Sequence, residues 1–255
     1  MDDVNREAQI PELVEALKSD EERVREAATS ALVKIGEPAI PELIEALKNW
    51  DVVFSRRCVI DTLSKIGKPA IPALIEALKN CDVVFSKWCV VDTLAKIGEP
   101  AIPALVEALV NGEWFVRYYY PMSALVKIGK PAIPALIELL MSNSNDIRYY
   151  ATSALAKIGE PAIPALIELL IATNDRAILD SVIFGVLVHH VKSGKLEQIF
   201  LTFDQSKCQV VLDKLESHKL TIFTYKGFSM LLNKFTLSRM CKRVRRQHLG
   251  TANKI

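Results

Sequence analysis

The stretch KIGKPAIPALIEALKN, residues 65–80, decides the fold because the chain repeats it. Lys-Ile-Gly recurs with its glycine at 36, 67, 98, 129 and 159, at spacings of 31, 31, 31 and 30 residues. Each glycine is followed by one phrase: EPAIPELIEALKN from Glu37, KPAIPALIEALKN from Lys68, EPAIPALVEAL from Glu99, KPAIPALIELL from Lys130 and EPAIPALIELL from Glu160. A first copy, IPELVEALK, begins at Ile10 without its leading part. A fixed period near 31 residues is the mark of a solenoid, in which one small unit stacks on the next.

Each repeat reads as two helices. In the first helix of repeat two, Ile40, Leu43, Ile44 and Leu47 fall at helical spacing and form one apolar stripe. Pro38 and Pro41 sit where an opening turn has no intrahelical N–H partner to lose. In the second helix of repeat one, Ala28, Ala31, Leu32 and Ile35 repeat that spacing, and Gly36 follows as a C-terminal cap able to adopt the left-handed conformation. Lys34 in the last turn suits the helix dipole. A lone helix pair leaves much of its apolar surface in water, so stacked neighbours must complete the burial. The chain holds about six such units.

Composition agrees and excludes several classes. The 255 residues are 50% hydrophobic and 24% charged, the make-up of an ordered protein. A net charge of +2 gives no whole-chain field that marks a nucleic-acid or membrane protein, but the charge is uneven. Residues 1–191 carry a net −7 and residues 192–255 a net +9. The opening MDDVNREAQ has neither signal-peptide nor transit-peptide character. The most apolar stretch, Val182–Val188, is far shorter than the roughly 20 residues of a membrane span. Five cysteines without a CxxC pair argue against a disulfide framework or a structural zinc site, and a reducing, cytoplasmic setting is expected.

The pattern decays past Leu170. Asp175–Leu187 still reads as a second helix, 195–203 and 207–218 as a degenerate pair, and 227–244 as a last helix. The domain expectation is therefore a repeat array over 1–191 and a divergent helical cap with a basic tail over 192–255. Arg239, Lys242, Arg243, Arg245 and Arg246 form the dense basic cluster. A solvated tail is its plain reading; nucleic acid, an acidic partner or a targeting signal are the alternatives.

The alternation of a Pro-containing AIPxLIEAL helix with an Asp-x-x-x-Val-Arg…Ala-Leu…Ile-Gly helix resembles the HEAT-repeat family, including its short, regular members of the phycobilin-lyase type. Asp20, Val24 and Arg25 carry the pattern in repeat one, and Ile147 and Arg148 in repeat five. Repeats two and three depart with Ser55-Arg56 and Ser86-Lys87. Repeat four reads Val116-Arg117-Tyr118-Tyr119-Tyr120-Pro121, and repeats two to four hold one residue more than one and five. The resemblance spans residues 7–190 and implies an all-α, right-handed α-solenoid (superhelix) of about six HEAT-like helix pairs with a divergent helical C-terminal cap. It also implies that the first helix of each pair lies on the convex side and the second lines the concave side.

Periodicity then says which residues face outward from the second helices. In repeat three the core stripe is Val90, Thr93, Leu94 and Ile97, and the opposite stripe is Phe85, Trp88, Asp92 and Lys96. The equivalent sets are Phe54, Arg57, Asp61 and Lys65 in repeat two, and Val116, Tyr119, Ser123 and Lys127 in repeat four. Repeat five gives Asp146, Tyr149, Ser153 and Lys157, with Tyr120 and Tyr150 on the flank, whereas repeat one is wholly polar at Arg23, Glu26, Ser30 and Lys34. Aromatic residues opposite a core stripe mark a contact surface. The partner-binding candidates are Phe54, Arg57, Phe85, Trp88, Phe115, Tyr119, Tyr120, Tyr149 and Tyr150, rimmed by Lys96, Lys127 and Lys157.

Bland readings stand beside these. The extra residue of repeats two to four can rotate Phe54 and Phe85 back between repeats, so Trp88, Tyr119, Tyr149 and Tyr150 are the firmer candidates. The lysine column at 34, 65, 96, 127 and 157 is explained as dipole complement and solvated charge. The glutamate column at 15, 45, 76, 107, 138 and 168 reads as solvated convex surface, and the equivalent Cys58 and Cys89 as small semi-buried residues.

No chemistry-bearing motif emerges. The first histidine is His189, and its neighbour His190 points about 100° away from it on a helix. HEAT-type deoxyhypusine hydroxylases hold iron with His-Glu pairs, and no such pair is present. P-loop, GxGxxG, GxSxG and HExxH are lacking. The expectation is a non-enzymatic protein–protein interaction scaffold without catalytic residue, metal or cofactor, gripping a protein or peptide on its concave face. The alternatives are a nucleic-acid binder that uses the concave aromatics and the basic tail, a bilin-lyase-like protein, and a HEAT-bearing alkylbase DNA glycosylase for which Trp88 beside Asp92 would be the nearest site.

Overall fold

The computed structural model describes residues 7–49, 53–80, 84–111, 119–175, 178 and 210, with backbone alone at 53, 54, 84 and 85. Phe115, the expected boundary at 191/192, the helices read into 195–244 apart from Val210, and the cluster from Arg239 to Arg246 lie outside the described residues. Among the described residues every regular element is helical.

The first helices of successive repeats are α1 (Ile10–Ala16), α3 (Ile40–Asn49), α5 (Ile71–Asn80), α7 (Ile102–Asn111), α9 (Ile133–Leu140) and α11 (Ile163–Ala172). The second helices are α2 (Glu22–Ile35), α4 (Val53–Ile66), α6 (Val84–Ile97), α8 (Tyr119–Ile128) and α10 (Asn145–Ile158). Between repeats lies a short 3₁₀ turn, Glu37–Ala39, Lys68–Ala70, Glu99–Ala101, Lys130–Ala132 or Glu160–Ala162.

The Lys-Ile-Gly phrase builds this turn the same way each time. The glycine N–H closes the helix on the carbonyl of the leucine four residues back, as in Gly36 to Leu32 at 2.9 Å and Gly98 to Leu94 at 3.1 Å. The glycine carbonyl then accepts from the alanine three residues on, as in Ala39 to Gly36 at 3.1 Å and Ala101 to Gly98 at 2.9 Å. That alanine is fully buried at 39, 70, 101, 132 and 162. The glycines have φ from 76° to 81°, as the sequence led one to expect, but not the left-handed helical conformation. At Gly36 ψ is −128° and at Gly98 it is −137°, the mirror image of extended backbone, which is open to glycine almost alone. The two prolines, read as one opening turn, are divided: Pro38 belongs to the 3₁₀ turn and Pro41 to the first turn of α3.

The chain forms two compact units, residues 1–132 and 133–255. In the first, α1, α3, α5 and α7 pack in one row and α2, α4, α6 and α8 in another, each first helix also touching the second helix of its own repeat. In the second, α9 packs on α10 and on α11. The fold class is thus the all-α solenoid that the period implies. Leu32, Leu63, Leu94 and Leu125, one per second helix, are fully buried, as are Leu43, Leu74 and Leu105 in the first-helix row. Buried threonines satisfy themselves on their own helix: Thr62 Oγ1 donates to the Cys58 carbonyl and Thr93 Oγ1 to that of Cys89, both at 2.8 Å. Ala31, Ile35 and Ile97, assigned to the core stripe, are only half-buried; the two isoleucines stand in the last turn, where the chain leaves for the next repeat.

The extra residue of repeats two to four has a definite place. The second helices α2, α4, α6 and α10 all have 14 residues and end just before the glycine. The first helices differ instead: α3, α5 and α7 have 10 residues, against 7 in α1 and 8 in α9. The insertion is absorbed ahead of the second helix, which keeps its register; the side chains of Phe54 and Phe85 lie outside the described residues. The Arg of the repeat pattern also has a local task. Arg25 Nη1 donates to the carbonyls of Ser19 at 2.7 Å and Asp20 at 2.8 Å, and Arg148 Nη1 to that of Ser142 at 2.5 Å, tying the link between the two helices of a repeat.

Candidate functional site

The outward stripe of the second helices is outward in the structure. Arg57, Lys65, Lys96, Lys127, Tyr149 and Lys157 are exposed, and Asp61, Asp92, Ser123 and Ser153 are half-buried between them. In the N-terminal unit the stripe becomes a continuous array because neighbouring second helices exchange charges. Lys96 of α6 pairs with Asp61 of α4, and Lys127 of α8 pairs with Asp92 of α6. Both pairs join residues 35 apart, one repeat plus one helical turn, so the geometry that stacks the helices also aligns the ion pairs. All four side chains are half-exposed, and each pair is worth at most about 1 kcal/mol.

An aromatic cluster adjoins this ladder. The Trp88 ring meets Tyr119 and Tyr120 edge-on, each at a centroid distance of 5.6 Å, and the two tyrosines meet each other at 5.4 Å. Edge-to-face pairs place the positive ring edge on the negative face and add about 0.5–1.5 kcal/mol each beyond burial. Lys127 Nζ lies 5.5 Å from the Trp88 centroid while paired with Asp92, and Lys87 Nζ lies 5.5 Å from that of Tyr120. Lys127 thereby joins the aromatic cluster to the charge ladder.

The members of the cluster are not equivalent. Tyr119 is 51% exposed and Trp88 half-buried, but Tyr120, expected among the contact residues, is only 4% exposed. Its position, one residue past the outward stripe, is shared by Cys58, Cys89 and Tyr150, all buried or half-buried, so Tyr120 supports the cluster from beneath and has almost no surface to offer a partner. In the C-terminal unit Tyr149, 55% exposed, meets the half-buried Tyr150 edge-on at 5.3 Å.

Beside the cluster Arg57, Ile60, Asp92, Ala95, Lys96 and Lys127 line an open depression of about 480 Å³. Ile60 and Ala95 supply its apolar lining and the four charged groups the rest. The sequence reading named these charges but not their cross-repeat pairing; the 35-residue offset from Asp to Lys is the signal that would have revealed it. Serines at 30, 123 and 153 replace the aspartate elsewhere, which confines the ladder to repeats two to four.

The glutamate column lies on exposed helix surface. Glu15, Glu45 and Glu76 pair with the lysine three residues on at 2.6, 3.5 and 3.6 Å along exposed helix surface. Burial pushes the Cys58 thiol up in pKa, an effect that Arg25 partly opposes, and Cys89 is buried. Among the described residues no group of three His, Cys, Asp or Glu side chains could hold a metal ion, and no helix is long and apolar enough to cross a membrane.

Two families match the sequence. HEAT repeats match residues 2–55, and the PBS lyase HEAT-like repeat matches residues 147–171. No curated protein matches the chain. Among solved structures, an engineered protein is 19% identical, with 82% of this chain and 97% of that one covered, at a TM-score of 0.33. The complex of CpcE and CpcF of phycocyanin lyase from Nostoc sp. is 20% identical over 93% of this chain and 92% of its own, at a TM-score of 0.29. Human deoxyhypusine hydroxylase in complex with glycerol is 15% identical over 97% and 98%, at a TM-score of 0.30. The recurring helix pair, its glycine turn and the two family matches agree: residues 2–55 carry HEAT repeats and residues 147–171 a repeat of the phycobilin-lyase type.

Proposed function

We propose that this chain is a non-enzymatic scaffold that binds a protein or peptide through the open face of its second-helix row. The observation that carries this reading is the aromatic cluster of Trp88 and Tyr119, held on an otherwise charged face by Tyr120 below and Lys127 beside it. Exposed aromatics held rigidly lose little conformational freedom on binding, so a modest contact can still be specific. Tyr149 supplies a second exposed ring in repeat five. The test is recovery of partner protein from native extract by the wild-type chain and by Tyr119→Ala and Tyr149→Ala, with nuclease and at high salt. Recovery that falls in the variants while their thermal unfolding is unchanged supports the reading. Equal recovery by all three sinks it.

A second reading has one observation in its favour, the match of residues 147–171 to the PBS lyase HEAT-like repeat. A bilin-lyase-like role predicts that co-expression with a bilin and an acceptor protein yields covalently coloured acceptor. Acceptor that stays colourless discards it. Nucleic acid is disfavoured by the net −7 of residues 1–191 and by Asp61 and Asp92 on the same face as the aromatics.

A further inference from the structure

Resting on that scaffold reading, we propose that the depression lined by Arg57, Lys96 and Lys127 is a carboxylate subsite. It takes one Asp or Glu side chain of a partner segment whose neighbouring aromatic or aliphatic side chain lies on Trp88 and Tyr119. Four observations fit this occupant. Three cations line the depression against one carboxylate, Asp92. Asp92 is engaged by Lys127 and Asp61 by Lys96, which leaves the exposed Arg57 without a carboxylate partner among the described residues. A guanidinium offers two parallel N–H donors that match a carboxylate.

The apolar lining is the second observation. Ile60 and Ala95 suit the methylene stem of an acidic side chain better than a fully hydrated free anion. Third, Lys127 lines the depression and also stands over Trp88 at 5.5 Å, so the charge site and the aromatic shelf share one residue. An acidic residue adjacent to an apolar one can fill both. Fourth, two of the three cations are already paired with Asp61 and Asp92. The cation left over suits a single carboxylate, whereas a phosphate backbone brings one negative charge per nucleotide past both aspartates.

The test is selection of short random peptides displayed on phage against the full chain, followed by calorimetry with the enriched peptide. Enriched sequences are expected to carry Asp or Glu next to an aromatic or large aliphatic residue. Replacing that acid by its amide should weaken binding about tenfold. Arg57→Gln should cost wild-type affinity by a similar factor and abolish the difference between acid and amide, with unfolding unchanged because Arg57 is exposed. Acid and amide binding alike, or Arg57→Gln without effect, while Tyr119→Ala still abolishes binding, overturns the carboxylate subsite and leaves the scaffold reading standing. Binding indifferent to Arg57 and Tyr119 alike, or no enriched peptide, overturns both. Displacement of the peptide by a short single-stranded oligonucleotide at equal concentration assigns the depression to phosphate and also overturns the proposal.

Discussion

Replacing Gly98 by alanine isolates the conformation on which every repeat junction depends. A Cβ built at Gly98 meets no heavy atom within 4 Å, so crowding contributes nothing. What remains is the backbone, with φ 79° and ψ −137°, a region that costs a residue bearing a Cβ about 1–3 kcal/mol. Alanine also restricts the unfolded chain and returns about 0.4–1 kcal/mol, leaving a net loss of roughly 1–2 kcal/mol. Urea unfolding followed by far-ultraviolet circular dichroism reads this directly, with Glu99→Ala as a control on an exposed residue of the same turn. The control should stay within about 0.5 kcal/mol of wild type. Gly98→Asn makes the test sharper. Asparagine tolerates the left-handed helical region but not the mirror of extended backbone, so it should lose as much as alanine. Wild-type stability in Gly98→Ala, or near-complete recovery in Gly98→Asn, would refute the reasoning and return the turn to an ordinary left-handed cap.

Three further outcomes follow from the packing. Leu94, fully buried where α6 meets its neighbours, should cost about 2–5 kcal/mol on replacement by alanine, measured by thermal unfolding. A double-mutant cycle of Lys127→Met and Asp92→Asn should give a coupling below about 1 kcal/mol that shrinks as salt is raised; a large, salt-independent coupling would mean the pair is drier than its half-exposed side chains indicate. The raised pKa of Cys58 leaves less thiolate at neutral pH, so peptide mapping should find it alkylated more slowly in the folded chain than in urea.

The array was legible in the sequence because its turn is written out five times. The recurring Lys-Ile-Gly gave the period, and the apolar spacing after each Pro gave the helix that follows. The positive φ of the glycines was legible for the same reason, since the phrase demands a residue without a Cβ. The value of ψ was not, because the 3₁₀ turn that fixes it depends on the fully buried alanine beyond Pro38 and its equivalents. The outward stripe was read correctly from 100° steps, which is why Arg57, Tyr119 and Tyr149 are where they were expected. Tyr120 was not, because a residue on the edge of the stripe is buried or exposed according to the neighbouring helix, and one helix's period is silent on that. The ladder of Asp61–Lys96 and Asp92–Lys127 escaped for a related reason: it belongs to the stacking of repeats, and only comparison across two of them displays it.

The claim that the second-helix row is the binding face is tested most directly by a photoreactive amino acid placed in turn at Tyr119 and at Glu45, the latter on the exposed surface of the first-helix row. Irradiation in native extract should attach partner protein to the chain labelled at 119 and none to the chain labelled at 45. Crosslinking at 45 with none at 119 would contradict the account and move the interaction to the opposite row.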